Sequence, residues 1–102
     1  MARPRLSNEA IDERLGALAG FRREADKLAA DFKFKNFVEA FGWMTSVALV
    51  AEKLDHHPDW KNAYNRVSVE LTTHDSGGIT ENDFTLAGRM LELAARYGIA
   101  PK

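Results

Sequence analysis

The sequence predicts an α+β fold, a four-stranded antiparallel sheet with three helices packed on one face. Three observations carry that expectation. Lys27–Phe34 and Val67–Thr73 alternate apolar and polar residues with the period of two that half-buried strands show. Between them, from Asn36 to Leu54, the period becomes helical. The full order is helix, strand, strand, helix, strand, strand, helix, and strands arriving in adjacent pairs favour an antiparallel sheet with its helices on one side.

Ser7 is a good N-cap for a helix over Asn8–Ala19, where Ile11, Leu15 and Leu18 share a face and Gly20 is placed to end it. Phe21–Glu24 reads as a short strand. A turn near residues 24–27 would join it to Lys27–Phe34 as a hairpin, although no Gly or Asn-Gly marks that turn. In the second strand Leu28, Ala30, Phe32 and Phe34 make the apolar face. In the central helix Phe37, Phe41, Met44, Ala48, Ala51 and Leu54 form one stripe about five turns long, expected to face the core, with Val38, Thr45, Leu49 and Glu52 flanking it. Pro58 forbids that helix from continuing. Trp60–Tyr64 is a further short strand and Asn65-Arg66 a break. Val67, Val69, Leu71 and Thr73 then alternate with Ser68, Glu70 and Thr72. Asp75–Gly78 is a turn, and Thr80-Glu81-Asn82-Asp83 has capping-box spacing with Asp in place of the commoner Glu. The last helix buries Phe84, Ala87, Leu91 and Ala94, or the neighbouring row Leu86, Met90 and Leu93, and stops at Gly98. Four short strands leave an exposed edge, so edge-to-edge dimerisation is expected.

The 102 residues are expected to form one domain, 1–102, and 45% apolar composition supplies a core without disulfides or metal. The absence of cysteine fits a cytoplasmic protein. A net charge of -1 argues against a nucleic-acid surface. The basic segment Met1-Ala2-Arg3-Pro4-Arg5 is not followed by an apolar stretch, so no signal peptide is read. The longest apolar run, Val47–Ala51, is far too short to span a membrane.

All three histidines, His56, His57 and His74, lie in one third of the chain. The first two close the central helix and the third ends a strand-like alternation, so both elements would deliver imidazoles at their C-terminal ends. Three readings follow from spacing alone. His56 and His57 would cap the helix, where imidazolium meets the favourable end of the dipole. Alternatively the histidines would ligate a metal with help from Asp55, Asp59 or Asp75, although adjacent histidines point apart and no i, i+4 pair exists. Or they would perform general acid–base chemistry, since histidine titrates near neutrality. No Cys, no Gly-x-Ser-x-Gly and no phosphate-binding glycine loop competes.

Glu52, His56-His57-Pro58, Tyr64, His74 and Asp83, at these spacings, closely resemble the signature of the pterin-4a-carbinolamine dehydratases, also known as dimerisation cofactors of a homeodomain transcription factor. Phe32-Lys33-Phe34-Lys35-Asn36-Phe37 resembles the family's Phe-x-Phe-x-x-Phe passage from strand to helix. Thr73-His74-Asp75 and Gly78-Ile79-Thr80-Glu81-Asn82-Asp83 resemble its Thr-His-Asp and Gly-Leu-Thr-x-x-Asp segments. The likeness runs from Leu18 to Leu93. Phe21 stands where the family usually has Trp, and Arg22–Asp26 is charged and poorly matched, which is expected to affect packing or pocket shape rather than reaction type.

The resemblance implies dehydration of 4a-hydroxytetrahydropterin to quinonoid dihydropterin, regenerating the cofactor of aromatic amino-acid hydroxylases. It makes His56 and His74 the general acids and gives His57 a catalytic and pterin-binding role. Trp60 and Asp75 join substrate binding, and Glu52, Pro58, Tyr64 and Asp83 support the site. Asp83 and Glu52, the latter one turn before His56, are expected to orient the histidines. Trp60 and Tyr64 either stack on the flat pterin or fill core, core being the expectation for Tyr64. No metal and no cofactor is implied, because the pterin is the substrate. The implied assembly is a homodimer or homotetramer, paired through sheet edges and then through helices. A protein partner, the role in the family's other name, has no support in these residues.

Overall fold

Apolar faces at two different periods need a sheet and helices to cover each other, and the computed structural model, which describes residues 3–101, shows how they do so. The elements are α1 (Asn8–Leu15), β1 (Arg22–Glu24), β2 (Lys27–Lys33), α2 (Phe37–Leu54), β3 (Asp59–Ala63), β4 (Arg66–Leu71) and α3 (Glu81–Ala95), with a single 3-10 turn at His74–Ser76. This is the expected α+β order. Met1 and Ala2 of the basic N-terminal segment, and Lys102, lie outside the described residues.

The four strands form one antiparallel sheet in the order β1-β2-β4-β3, so the two hairpins join through β2 and β4. Leu28 sits opposite Leu71, Ala30 opposite Val69 and Phe32 opposite Val67, which puts the apolar residues of both central strands on one face. Buried side chains of all three helices close over that face in a single core. Phe32 and Phe34 from the sheet meet Trp43 from α2 with ring centroids 4.5 and 5.2 Å apart. The Trp43 indole N–H donates to the Met90 carbonyl of α3 at 3.1 Å, so one fully buried side chain ties sheet, α2 and α3 together. Phe21 is buried edge-on against Phe32 at 6.1 Å.

Three expectations are corrected. The first helix ends at Leu15 rather than Ala19. Gly16 caps it, and Ala17 and Leu18 continue in turns whose N–H groups reach back three residues, to Arg14 and Leu15. Gly20, at φ 85°, packs against the C-terminal segment, where a Cβ would sit 2.7 Å from the Pro101 carbonyl oxygen.

The second correction concerns the inward face of α2, which is Ala40, Trp43, Val47 and Ala51, with Met44 and Leu54 partly buried. Phe37 and Phe41, expected to face the core, are 47% and 55% exposed, and Ala48 is exposed as well. Because apolar residues occupy almost the whole circumference of this helix, periodicity alone does not choose the face. Fitting the indole of Trp43 between the sheet aromatics and α3 does. The third correction is Tyr64, which turns outward in the β3–β4 turn at φ 54° and is 66% exposed, not core.

Candidate active site

The site forms where α2, β4 and α3 meet. α2 ends in a chain reversal: the His56 N–H donates to the Ala51 carbonyl at 3.0 Å and the Asp55 N–H to the Glu52 carbonyl at 3.2 Å. That motif needs a left-handed residue, and Asp55 supplies it at φ 52°, ψ 43° where glycine is usual. An L-residue there costs on the order of 1 kcal/mol. Past the reversal, His56 turns into the protein and is only 8% exposed. Its Nε2 lies 2.5 Å from Oδ1 of Asp83.

Asp83 owes its position to the start of α3. Thr80 is the N-cap and Asp83 closes the capping box, its Oδ2 accepting the Thr80 N–H at 2.9 Å. The same oxygen accepts the Thr73 hydroxyl at 2.8 Å. Asp83 is completely buried, yet both its oxygens are satisfied. With backbone and hydroxyl donors on Oδ2, the carboxylate acts as an acceptor, so Nε2 of His56 carries the hydrogen it shares with Oδ1. The other ring nitrogen, Nδ1, has no hydrogen-bond partner among the described residues. Since no buried side-chain nitrogen or oxygen lacks a partner among the described residues, Nδ1 is not sealed from solvent, and His56 lines the adjoining cleft.

His57 points the other way and stays in solvent, its Nε2 2.8 Å from Oε1 of Glu52. Glu52 was expected to serve His56. Helical i, i+4 geometry stops at Leu54, however, and the reversal hands Glu52 to His57 instead. The third imidazole arrives from the sheet. β4 ends at Leu71, Thr73 bridges to Gly78, and the 3-10 turn closed by Gly77 at φ 73° presents His74 outward. Its Nε2 is 3.7 Å from Oδ2 of Asp59, an exposed ion-pair separation rather than a hydrogen bond.

Asp55, His56, His57, Thr72, Thr73, His74 and Asp75 line one open cleft of about 230 Å³. The structure therefore brings together all three predicted histidines and Asp75 along one cleft, with Asp83 buried behind His56 and Glu52 exposed beside His57. It does not bring Trp60 or Tyr64 to that cleft. Trp60 is half-buried with its ring 6.2 Å from Trp43, and Tyr64 lies at the far end of β3. Pro58 serves by ending the reversal and starting β3. Thr72 and Thr73 were not singled out by sequence reasoning, although Thr73 belongs to the Thr-His-Asp segment. Larger concavities lie on the open face of the sheet, one of them around Lys33, Lys61 and Arg66, but they contain no histidine. Each imidazole faces a different carboxylate, and among the described residues no three His, Asp or Glu side chains group closely enough to hold a metal ion. No described helix is long and apolar enough to cross a membrane.

Comparison with known proteins points the same way. A family profile described as "Pterin 4 alpha carbinolamine dehydratase" matches residues 4–93. A protein of Afipia carboxidovorans named "Putative pterin-4-alpha-carbinolamine dehydratase" is 57% identical over 97 residues, covering 92% of this chain and 96% of its own. A protein of the same name from Rhizobium rhizogenes is 53% identical over 94 residues, covering 90% and 93%. Among solved structures, a transcriptional coactivator/pterin dehydratase from Brucella melitensis superposes with a TM-score of 0.87 at 48% identity, covering 88% of this chain and 98% of that one. A pterin dehydratase-like protein described as a RuBisCO assembly factor in the alpha-carboxysome shares the fold, with a TM-score of 0.60 at 20% identity over 72% of this chain and 86% of that one.

Proposed function

Because the chain belongs to the pterin-4a-carbinolamine dehydratase family, we propose that it converts 4a-hydroxytetrahydropterin to quinonoid dihydropterin and water, regenerating the pterin cofactor of a hydroxylase. The observation that carries this reading is one cleft lined by His56, His57 and His74, with His56 locked against a buried carboxylate. The reaction breaks the bond between C4a and its hydroxyl oxygen. The lone pair of the adjacent ring nitrogen forms the new double bond, that nitrogen gives up its proton, and the leaving oxygen takes one and departs as water. The electrons balance within the pterin, so neither a metal nor a redox cofactor enters the scheme.

The site needs a donor at the oxygen and an acceptor at the nitrogen, a contribution of about 10²–10⁴-fold. His56 and His74, which both line the cleft, supply them. His56 works through Nδ1, because Nε2 is committed to Asp83. His57, steadied by Glu52, positions the ring. The carboxylates of Asp55 and Asp75 in the cleft wall accept from the amino and amide N–H groups along the pterin edge. Single His56→Ala and His74→Ala variants are expected to lose most of the rate with circular dichroism unchanged. A double variant as fast as the native protein contradicts the assignment.

The outer face of α2 supports a second, compatible role in association. Phe37, Val38, Phe41 and Leu49 are all exposed on it, at 47, 77, 55 and 71%, with the Phe37 and Phe41 rings 5.7 Å apart, an apolar surface of the kind that marks an interaction site. A second copy of this chain, packing α2 against α2, is the proposed occupant, with the exposed sheet edges β1 and β3 available for a further pairing. Sedimentation of a Phe41→Glu variant tests this: it is expected to form a smaller assembly than the native chain, and an unchanged mass contradicts the α2 pairing.

A further inference from the structure

We infer that Thr73 is a positioning residue, acting through a one-directional hydroxyl chain from Thr80 to Asp83 that fixes which nitrogen of His56 carries the proton. The role rests on the proton-transfer chemistry proposed for His56, but the proton's location is measurable without that chemistry.

The direction of the chain follows from counting protons. Thr80 is completely buried, so its hydroxyl has only protein partners. Thr73 Oγ1 lies 2.8 Å from Asp83 Oδ2 and 2.7 Å from Thr80 Oγ1. An acceptor carboxylate cannot donate, so Thr73 spends its single hydroxyl proton on Asp83. In the contact between the two threonines, Thr73 must therefore accept and Thr80 donate. Thr80 Oγ1 in turn accepts the Asn82 N–H at 3.3 Å. Every proton in the chain has one place to go.

This order holds the carboxylate in a fixed plane. Oδ2 takes two donors, the Thr80 N–H at 2.9 Å and the Thr73 hydroxyl, and Oδ1 is left aimed at His56. Without the Thr73 hydroxyl, Asp83 keeps one fixed donor and can rotate about its side-chain axis, and the Thr80 hydroxyl loses its acceptor. The grip on Nε2–H loosens and Nδ1 stops being the defined solvent-accessible lone pair. The Thr73 backbone is secured independently: its N–H donates to the Gly78 carbonyl at 2.9 Å, and its carbonyl accepts from Ser76 and Gly78. Removing the hydroxyl therefore leaves the turn that carries His74 in place.

The test uses the full chain labelled with ¹⁵N, with long-range proton–nitrogen spectra of His56 recorded at a pH where free imidazole is neutral. The native protein is expected to show the Nε2–H tautomer alone. Thr73→Val should give an averaged mixture of tautomers, and Thr73→Ser should restore the native pattern. In parallel, dehydration by Thr73→Val should fall by about 10- to 100-fold, the effect of a small misplacement of a reacting group, with Thr73→Ser near native. An Nδ1–H tautomer in the native protein, a native pattern in Thr73→Val, or failure of Thr73→Ser to restore it overturns the inference. If Thr73→Val does not fold, Thr73→Ala, which adds no bulk, is read in its place by the same criteria. Native protein with no dehydration above the uncatalysed rate contradicts the proposed function, and the tautomer pattern still decides the role of Thr73.

Discussion

Replacing Asp83 with Asn isolates the electrostatic core of the site, because the two side chains have nearly the same shape. In the native protein Oδ2 faces two donors and Oδ1 faces one imidazole nitrogen. An amide has one oxygen and one NH₂. Two donors outweigh one, so the Asn oxygen is expected to keep Thr80 and Thr73, and the NH₂ to turn toward His56. Neutral His56 must then accept at Nε2 and carry its proton on Nδ1, which reverses the ring's role at the cleft. When protonated, it also loses its anionic partner. The expected loss is the acid–base contribution itself, about 10²–10⁴-fold, equivalent to about 3–5 kcal/mol of barrier. Stability should fall less, by about 1–2 kcal/mol, the difference between charge-assisted and neutral hydrogen bonds at a helix N-terminus. Stopped-flow dehydration and urea unfolding of the same preparation measure both. A folded Asp83→Asn protein within about threefold of the native rate, well short of the acid–base range, would refute the reasoning, as would one whose His56 keeps its proton on Nε2.

Three further outcomes follow from the same geometry. Asp55→Gly removes a left-handed L-residue and should raise stability by up to about 1 kcal/mol, while weakening substrate binding because a cleft carboxylate is gone; thermal unfolding and KM measure the two effects. Trp43→Phe removes the indole bond to the Met90 carbonyl, which keeps its helical partner, and opens a void beside Phe32 and Phe34, which should cost about 2–4 kcal/mol. In urea this should appear as a lower midpoint with an unchanged m-value. Treatment with a strong chelator should leave the dehydration rate unaltered, and a loss reversed by added zinc would favour a metal site instead.

The sheet was readable because its two central strands alternate cleanly, and the caps at Ser7 and at Thr80 with Asp83 because they carry local hydrogen-bonding signals that need no tertiary context; the Asn36 cap of α2 was not singled out. The inward face of α2 was not readable. Phe37 and Phe41 look like core in a one-dimensional pattern, and only the seating of Trp43 against β2 and α3 leaves them outside. The histidine partners show the same division. That His56, His57 and His74 line one cleft was legible from the resemblance of their spacing to the family signature. Which carboxylate serves which imidazole was not, because it depends on Asp55 taking a left-handed turn that composition gives no reason to expect. Tyr64 illustrates the converse, a signature position that local turn geometry carries to the far end of its strand.

The most direct test is the rate at which the purified chain dehydrates freshly generated 4a-hydroxytetrahydropterin, followed by stopped-flow absorbance as quinonoid dihydropterin forms. The predicted result is a rate that rises in proportion to protein concentration and collapses toward the buffer rate when both His56 and His74 are replaced by alanine. A rate equal to that of buffer alone at every protein concentration would contradict the dehydratase account.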